Sequence, residues 1–424
     1  MSVNNQKICF ISFSDIRGGA AKAADRIKSS LLDQGYSVKY VVAEKNDCSS
    51  DAIGPSKLSY YYHFFFRCIS YLPLLLIRGD TSVKRSLNLF SSSHVIRQIE
   101  YCKFLHIHWV NNDTLSIGQL SKLWREKAVV MTLHDEWLYC GSEHCASDFM
   151  GRDEGFSNGY ANVGFLDWNG YLNKYFWRLK KKKLVLNGNV VFTVPSTWMK
   201  ERVARSLLLK GTKVYVVPNP IPLETFNLQV ESMSRDDLGL RDDDFIICFG
   251  SVQGSGHLLK GGDILQKSLN YLWDELPSIH RTRVKLLVFG GNTEQILDFK
   301  FPTINLDHIS SAGAMAKIYR TSDLVVVPSR VESFGQVAAE SLACGTPVVA
   351  FNCSGLMDII DHKRNGYLAD AYDYIDLARG IHWILNLSMA RRKELSINGV
   401  RKVESKFSES VVASKFIDIY SDLI

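Results

Sequence analysis

PSRVESFGQVAAESLACGTPVVAFNCSG, residues 328–355, holds the end of one apolar strand, a turn, a helix-length segment and a second strand. The run before the turn is DLVVVPS (Asp323–Ser329), and the run after the helix is TPVVAFN (Thr346–Asn352). Continuous β-branched runs joined through a helix make a β–α–β unit of a parallel sheet covered on both faces. The turn carries Glu332, and the helix begins near Phe334–Gly335. A helix N-terminus presents free N–H groups and the positive end of the helix dipole, which together suit a phosphate. Gly335 lets the backbone approach such an anion closely. Glu340 follows five residues later, roughly 7–8 Å along the axis, so a diphosphate fits between one carboxylate near a sugar and another near a ribose.

The same strand–helix alternation extends in both directions. DFIICFGS (Asp244–Ser251) and VKLLVFGG (Val284–Gly291) belong to the same unit as the opening stretch. KICFISFS (Lys7–Ser14), YSVKYVVA (Tyr36–Ala43), FLHIHWV (Phe104–Val110), AVVMTLH (Ala128–His134) and NVVFTVPS (Asn189–Ser196) form another. The proline-dense VVPNPIP (Val216–Pro222) separates them as a stiff joint poor in N–H donors. The chain therefore reads as α/β, with doubly wound domains over 1–217 and 218–403. A terminal amphipathic helix over 404–424 is expected to pack back on the first domain.

A length of 424 residues fits two cores, and 46% hydrophobic with 22% charged residues fits a folded chain. A net charge of +6 suits an anionic ligand or membrane surface and is too small to indicate nucleic acid. Nine scattered cysteines and an opening that runs straight into a strand lead to an expectation of reduced thiols and a cytoplasmic location. SYYYHFFFRCISYLPLLLI (Ser59–Ile77) is too short for a membrane span and carries His63, Arg67 and Pro73. It reads as an aromatic helix that is either buried or interfacial.

GSVQGSGHLLKGG (Gly250–Gly262) offers a second anion site, a Gly-rich loop with Ser251 at its start and the Lys260 ammonium near its end. A third is Arg17-Gly18-Gly19-Ala20, at the first strand-to-helix turn. Together with Glu332 and Glu340 separated by SFGQVAA, then CGTPVVA, the turn SG and DIIDHKRNGYLAD, the sequence resembles the retaining glycosyltransferases of family four. The resemblance is dense over 305–372 and looser elsewhere, and its branch looks like the transferases of bacterial exopolysaccharide, O-antigen and capsule assembly.

That resemblance implies the GT-B fold, two Rossmann-like doubly wound domains facing across a cleft. It implies transfer from a UDP- or GDP-sugar to a glycan or lipid-linked oligosaccharide, with no divalent metal and no other cofactor. Glu332 would meet the donor sugar, Glu340 the ribose, and the backbone of Ser333, Phe334, Gly335, Gln336 and Val337 the phosphates and sugar. Gly18 and Gly19 would approach the diphosphate, and Lys260 would offset its charge. Ser251 stands where the family has an arginine; a branch of the family with small residues at that position explains this better than replacement of the cation by Arg17 or Arg330. His134 would lie beside the donor sugar, giving catalytic roles to His134, Lys260 and Glu332, while His108 and Asp135 fall on the acceptor side. His106 shares a strand face with His108 and reads equally as core.

Other chemistries fit less well. His134, Asp135, Cys140, Glu143, His144 and Cys145 invite a zinc reading, but no second cysteine pair follows at zinc-finger distance. Asp242 and Asp244 spell Asp-x-Asp in what reads as a solvated loop. No Gly-x-Gly-x-x-Gly follows the first strand, which disfavours a dinucleotide oxidoreductase. A non-catalytic sugar-binding protein and a sugar-nucleotide epimerase of the same fold remain the rival readings. The run RLKKKK beside YLNKYFW makes Arg178, Lys180, Lys181, Lys182 and Lys183 candidates for peripheral contact with an anionic membrane.

Overall fold

The computed structural model describes residues 7–77, 83–146, 155–161, 163, 167–184, 189–250, 258–290, 298–306, 309 and 311–423. The chain divides into two compact units, Met1–Pro220 with Glu409–Ile424, and Ile221–Ser408.

The first unit runs β1 (Ile8–Ser14), α1 (Gly18–Asp33), β2 (Val38–Glu44), α2 (Lys57–Tyr71), α3 (Ser93–Ile99), β3 (Phe104–Ile107) and α4 (Ile117–Glu126). It continues through β4 (Ala128–Thr132), α5 (Gly155–Asn158), α6 (Trp168–Lys183), β5 (Val190–Val194), α7 (Thr197–Arg205) and β6 (Val214–Val216). The strands pair in parallel in the order β2-β1-β3-β4-β5-β6. The direction of winding reverses between β1 and β3, and in doubly wound sheets ligands bind beyond the strand carboxyl ends at that point.

The last helix, α15 (Glu409–Leu423), completes this unit. Its Val412, Phe416 and Tyr420 are fully buried with Ala24, Ile27 and Leu31 of α1 and Phe10 and Phe104 of the sheet. The Tyr420 hydroxyl lies 2.7 Å from His106 Nδ1, giving this buried imidazole a partner.

The second unit runs β7 (Phe245–Gly250), α8 (Gly262–Glu275), α9 (Ser278–Arg281), β8 (Val284–Phe289), β9 (Thr303–Leu306), α10 (Ala312–Thr321) and β10 (Leu324–Val327). Then come α11 (Gln336–Ala343), β11 (Val348–Phe351), α12 (Leu356–Ile359), β12 (Gly366–Ala369), α13 (Tyr374–Leu385) and α14 (Met389–Phe407). Its parallel sheet has the order β12-β11-β10-β7-β8-β9. Side chains alternate across it: Ile246, Cys248, Val325 and Val348 enter one core, and Ile247, Phe249, Val326 and Val349 the other. Both faces being apolar is why these strands read as unbroken hydrophobic runs.

Three strands, β6, β9 and β12, had no sequence signal. The first has three residues and the other two have four, one interrupted by Asn305 and the other opening on Gly366. Within the proline-dense stretch β6 ends at Val216, and the Ile221 N–H donates to the Phe407 carbonyl at 2.8 Å. Among the described residues no helix is long and apolar enough to cross a membrane.

Phe416→Ala removes a fully buried ring from the first unit. The expected cost is about 3–5 kcal/mol, read from urea unfolding; a loss under about 1 kcal/mol would contradict the docking of α15.

Candidate functional site

In the second unit, Gly261 is the N-cap of α8 at φ +67°, and a Cβ there would lie 1.9 Å from the Pro328 carbonyl oxygen. Only glycine tolerates both that backbone and that approach. The Arg330 N–H donates to the Leu259 carbonyl at 2.9 Å, and the guanidinium forks onto Asp263 at 2.8 and 2.7 Å. The segment before α8 is thereby strapped to the turn after β10.

The strap brings Lys260 and Glu332 together, with Nζ donating to Oε1 at 2.6 Å. The Ser329 hydroxyl donates to the same carboxylate oxygen at 2.9 Å. The Glu332 N–H is held by Ser354 Oγ at 3.0 Å, and the Gly355 N–H donates to the Glu332 carbonyl at 2.8 Å. Both charged groups keep a face to solvent, 36% for the lysine side chain and 19% for the glutamate, so a ligand can reach either. Sequence reasoning placed Lys260 and Glu332 on separate ligand groups; the structure makes them partners. Ser329 and Ser354 were not anticipated, because a left-handed Ser354 (φ +54°) has no sequence signature beyond the small-residue turn.

Helix α11 starts at Gly335, φ +113°, with no side-chain cap, so its first N–H groups have no capping side chain. Gly335 also answers to packing, since a Cβ there would press on Leu356 at 2.8 Å and Ile359 at 3.2 Å. Ser333, Gln336 and Val337 are half-buried. The Phe334 ring is buried edge-on against Phe407, 5.4 Å between centroids, leaving its backbone as the part that can meet a ligand. Glu340 is 7% exposed and accepts from the Tyr319 hydroxyl at 3.2 Å. Ser251 lies outside the described residues.

In the first unit, α1 opens with exposed Gly18 and Gly19. Gly18 has φ +85° and open space where a side chain would stand. The cations considered as substitutes for an arginine at 251 are already engaged. Arg17 Nη1 lies 2.5 Å from Glu44, and Arg330 is held by Asp263.

His108 and His134 follow β3 and β4 at the carboxyl edge of the sheet, with His108 Nδ1 and His134 Nε2 3.0 Å apart. His108 is 1% exposed, so little of its side chain is open to solvent. Burial holds the His106 and His108 imidazoles well below the ordinary range and lowers His134 to about 4. Asp135 is equally committed: it accepts from Trp109 Nε1 at 2.5 Å, His144 Nδ1 at 2.6 Å and the Trp137 N–H at 3.0 Å. Burial alone would raise its carboxyl; His144 and these donors bring it below the usual value.

The loop after β4 rests on two buried cations. Arg202 pairs with Glu136, which also accepts from the Tyr139 hydroxyl at 2.9 Å. Lys180 overturns its assignment to a surface patch: it is fully buried and donates to the carbonyls of Trp137, Cys140 (3.1 Å) and Gly141 (2.7 Å). Burial pulls its ammonium down to about 7, against the electrostatic pull of Cys140, Glu143 and Asp135 in the other direction. Arg178, Lys181, Lys182 and Lys183 remain exposed. Among the described residues no three His, Cys, Asp or Glu side chains are placed to hold a metal. Asp244 is not solvated either: it is 4% exposed and accepts from the Arg241 N–H at 2.9 Å.

A neutral His134 in the fold, against an ordinary value near 6.5, fixes a pH dependence. Between about pH 6.5 and 4 the unfolded chain binds a proton that the fold refuses, so stability is full above 6.5 and falls with acidification. His134→Gln should make that slope shallower by up to about one proton in urea titrations across this window. An unchanged slope would mean His134 titrates normally in the fold.

Residues 17–225 match the family model described as "Glycosyltransferase Family 4", and residues 235–402 the one described as "Glycosyl transferases group 1". A D-inositol 3-phosphate glycosyltransferase of Xylanimonas cellulosilytica is 33% identical over 233 residues, 49% of this chain and 51% of its own length. The chain thus spans about half the length of the curated relatives it matches. Among solved structures, HepE of Anabaena with UDP and glucose superposes at a TM-score of 0.61 and 16% identity, covering 99% of this chain and 100% of that one. WaaG, a glycosyltransferase involved in lipopolysaccharide biosynthesis, does so at 0.63 and 14%, covering 98% and 99%. At such identities the superpositions speak for the fold, and the two family matches speak for the lineage. With one matching each half, the chain belongs to the glycosyltransferases of the GT-B fold.

Proposed function

We propose that the chain transfers a sugar, with retention of anomeric configuration, from a nucleoside-diphosphate sugar such as a UDP- or GDP-sugar to a glycan or lipid-linked oligosaccharide. The observation that carries this is the solvent-reachable Lys260–Glu332 pair beside the uncapped N-terminus of α11. A diphosphate would take Lys260 and the N–H groups of the helix's first turn, releasing Glu332 to accept from sugar hydroxyls. Glu340 would hold the ribose once its Tyr319 contact is exchanged, and Gly18 and Gly19 would meet the diphosphate from α1.

In this reading the leaving diphosphate departs on the face that the acceptor hydroxyl attacks, and a phosphate oxygen takes the proton. Lys260 and the α11 N-terminus stabilise the charge that develops, and Glu332 and His134 orient the sugar. Asp135 shapes the loop beyond His134. Assembly of bacterial surface polysaccharide, as O-antigen or capsule, is the context favoured by the family resemblance, with the enzyme at the cytoplasmic face of the membrane.

Thermal unfolding with UDP, GDP, ADP, dTDP, CMP and NAD tests the donor site. A ligand at a hundred times its dissociation constant adds about 2.7 kcal/mol. One nucleoside diphosphate should stabilise the protein, less so in Glu340→Ala; stabilisation by NAD alone, or by none, contradicts the reading. Where transfer is measurable, Lys260→Met should lower kcat by about 10²–10³, as loss of one preorganised charge-stabilising donor does.

A further inference from the structure

Helix α2 is amphipathic the wrong way round. Its inward side carries buried Ser59, His63 and Ser70, with His63 Nε2 donating to the Asp113 carbonyl at 2.9 Å. Its outward side carries Leu58, Tyr61, Tyr62 and Phe65, which are 82%, 66%, 57% and 59% exposed. These fall at i, i+3, i+4 and i+7 and so form one stripe. The stripe continues into the 3-10 turn Leu72–Leu76, where Leu72, Leu75 and Leu76 are all exposed. Isolated exposed apolar side chains are ordinary, but a contiguous stripe of this kind marks a binding surface.

The neighbouring helix supplies the charge. Trp168 Nε1, at the start of α6, donates to the Pro73 carbonyl at 3.4 Å, so the two segments adjoin. Trp168, Tyr171 and Tyr175 are exposed along α6, and Arg178 and Lys182 extend the same i, i+3, i+7 progression towards its end. Lys57, Arg178, Lys181, Lys182 and Lys183 are exposed, and α2, the turn and α6 contain no Asp or Glu.

We propose that α2, Leu72–Leu76 and α6 form a docking face for an anionic lipid bilayer, with the apolar stripe entering the interface and the lysines resting on headgroups. Aromatic and leucine side chains beside clustered cations, on helices too short and too polar to span, are the physical pattern of an interfacial helix. A second copy of the chain fits less well, because its own cationic rim would be repelled. The assignment extends the membrane contact read from the α6 lysines by adding the apolar half. It holds whatever sugar is transferred, and its test uses no substrate.

The test is flotation of the full chain with vesicles of phosphatidylcholine, alone or mixed with phosphatidylglycerol. Binding to the mixed vesicles that weakens as salt rises is expected. Leu58→Ser with Phe65→Ser should lower partitioning about tenfold or more. Lys181→Glu, Lys182→Glu and Lys183→Glu together should do likewise and flatten the salt dependence. Ile279→Ser, an exposed apolar control in the second unit, should leave binding unchanged. Should a variant fail to fold, brominated lipid gives a second readout: its quenching of the wild type should diminish in Trp168→Phe. The proposal is overturned by absence of flotation with anionic vesicles, by equal binding to neutral ones, or by a doubled solution mass that Leu58→Ser with Phe65→Ser restores to one chain.

Discussion

The approach of Gly261 to the Pro328 carbonyl, with the Arg330–Asp263 fork beside it, sets the geometry of the second unit's site. Neither contact touches a ligand. Together they hold the end of the segment after β7 against the turn after β10, two strands that are neighbours in the sheet. Lys260 and Glu332, 72 positions apart in the chain, meet as a result. The serine contacts from Ser329 and Ser354 then fix which way the carboxylate and its backbone face. With its own charges paired, the site without ligand avoids leaving a carboxylate and an ammonium unsatisfied at the edge of an apolar core.

The first unit solves a different problem, the burial of polar groups at the carboxyl edge of its sheet. Three imidazoles lie near one another there, kept neutral by burial, and His106 is served by Thr132 and Tyr420 at 2.7 Å each. The loop after β4 is tied down by Lys180 from α6 and Arg202 from α7, each donating to groups of that loop. Replacing either cation would strand acceptors already removed from water, so their main effect is on the shape of the loop beyond His134.

The sequence foretold the fold well where strands are buried on both faces, because a short unbroken apolar run is stable only where both of its faces are covered. It failed at β6, β9 and β12, which are short and gain their pairing from neighbours rather than from composition. The turn-and-helix motif located Glu332, Gly335 and Glu340 on one continuous segment. It was silent on the Lys260–Glu332 pair, which depends on how two loops are strapped together. Lys180 illustrates a signal passed over. Leu172, Phe176 and Lys180 are spaced by four along one helix face, and that periodicity marks the lysine as inward while its neighbours in the run face out. Helix α2 is the converse, since its stripe is periodic but points the other way.

The place of α15 has a consequence for how the protein is made. The first sheet is complete in the chain by Val216, yet Phe416 and Tyr420, which cover it beside α1, leave the ribosome only after the whole second unit. At about 5–20 residues per second, roughly ten to forty seconds separate the two events. Throughout that interval the nascent sheet has an uncovered apolar side and His106 lacks its tyrosine partner. The half of the chain that is made first is therefore finished second, when α15 closes over its bare face.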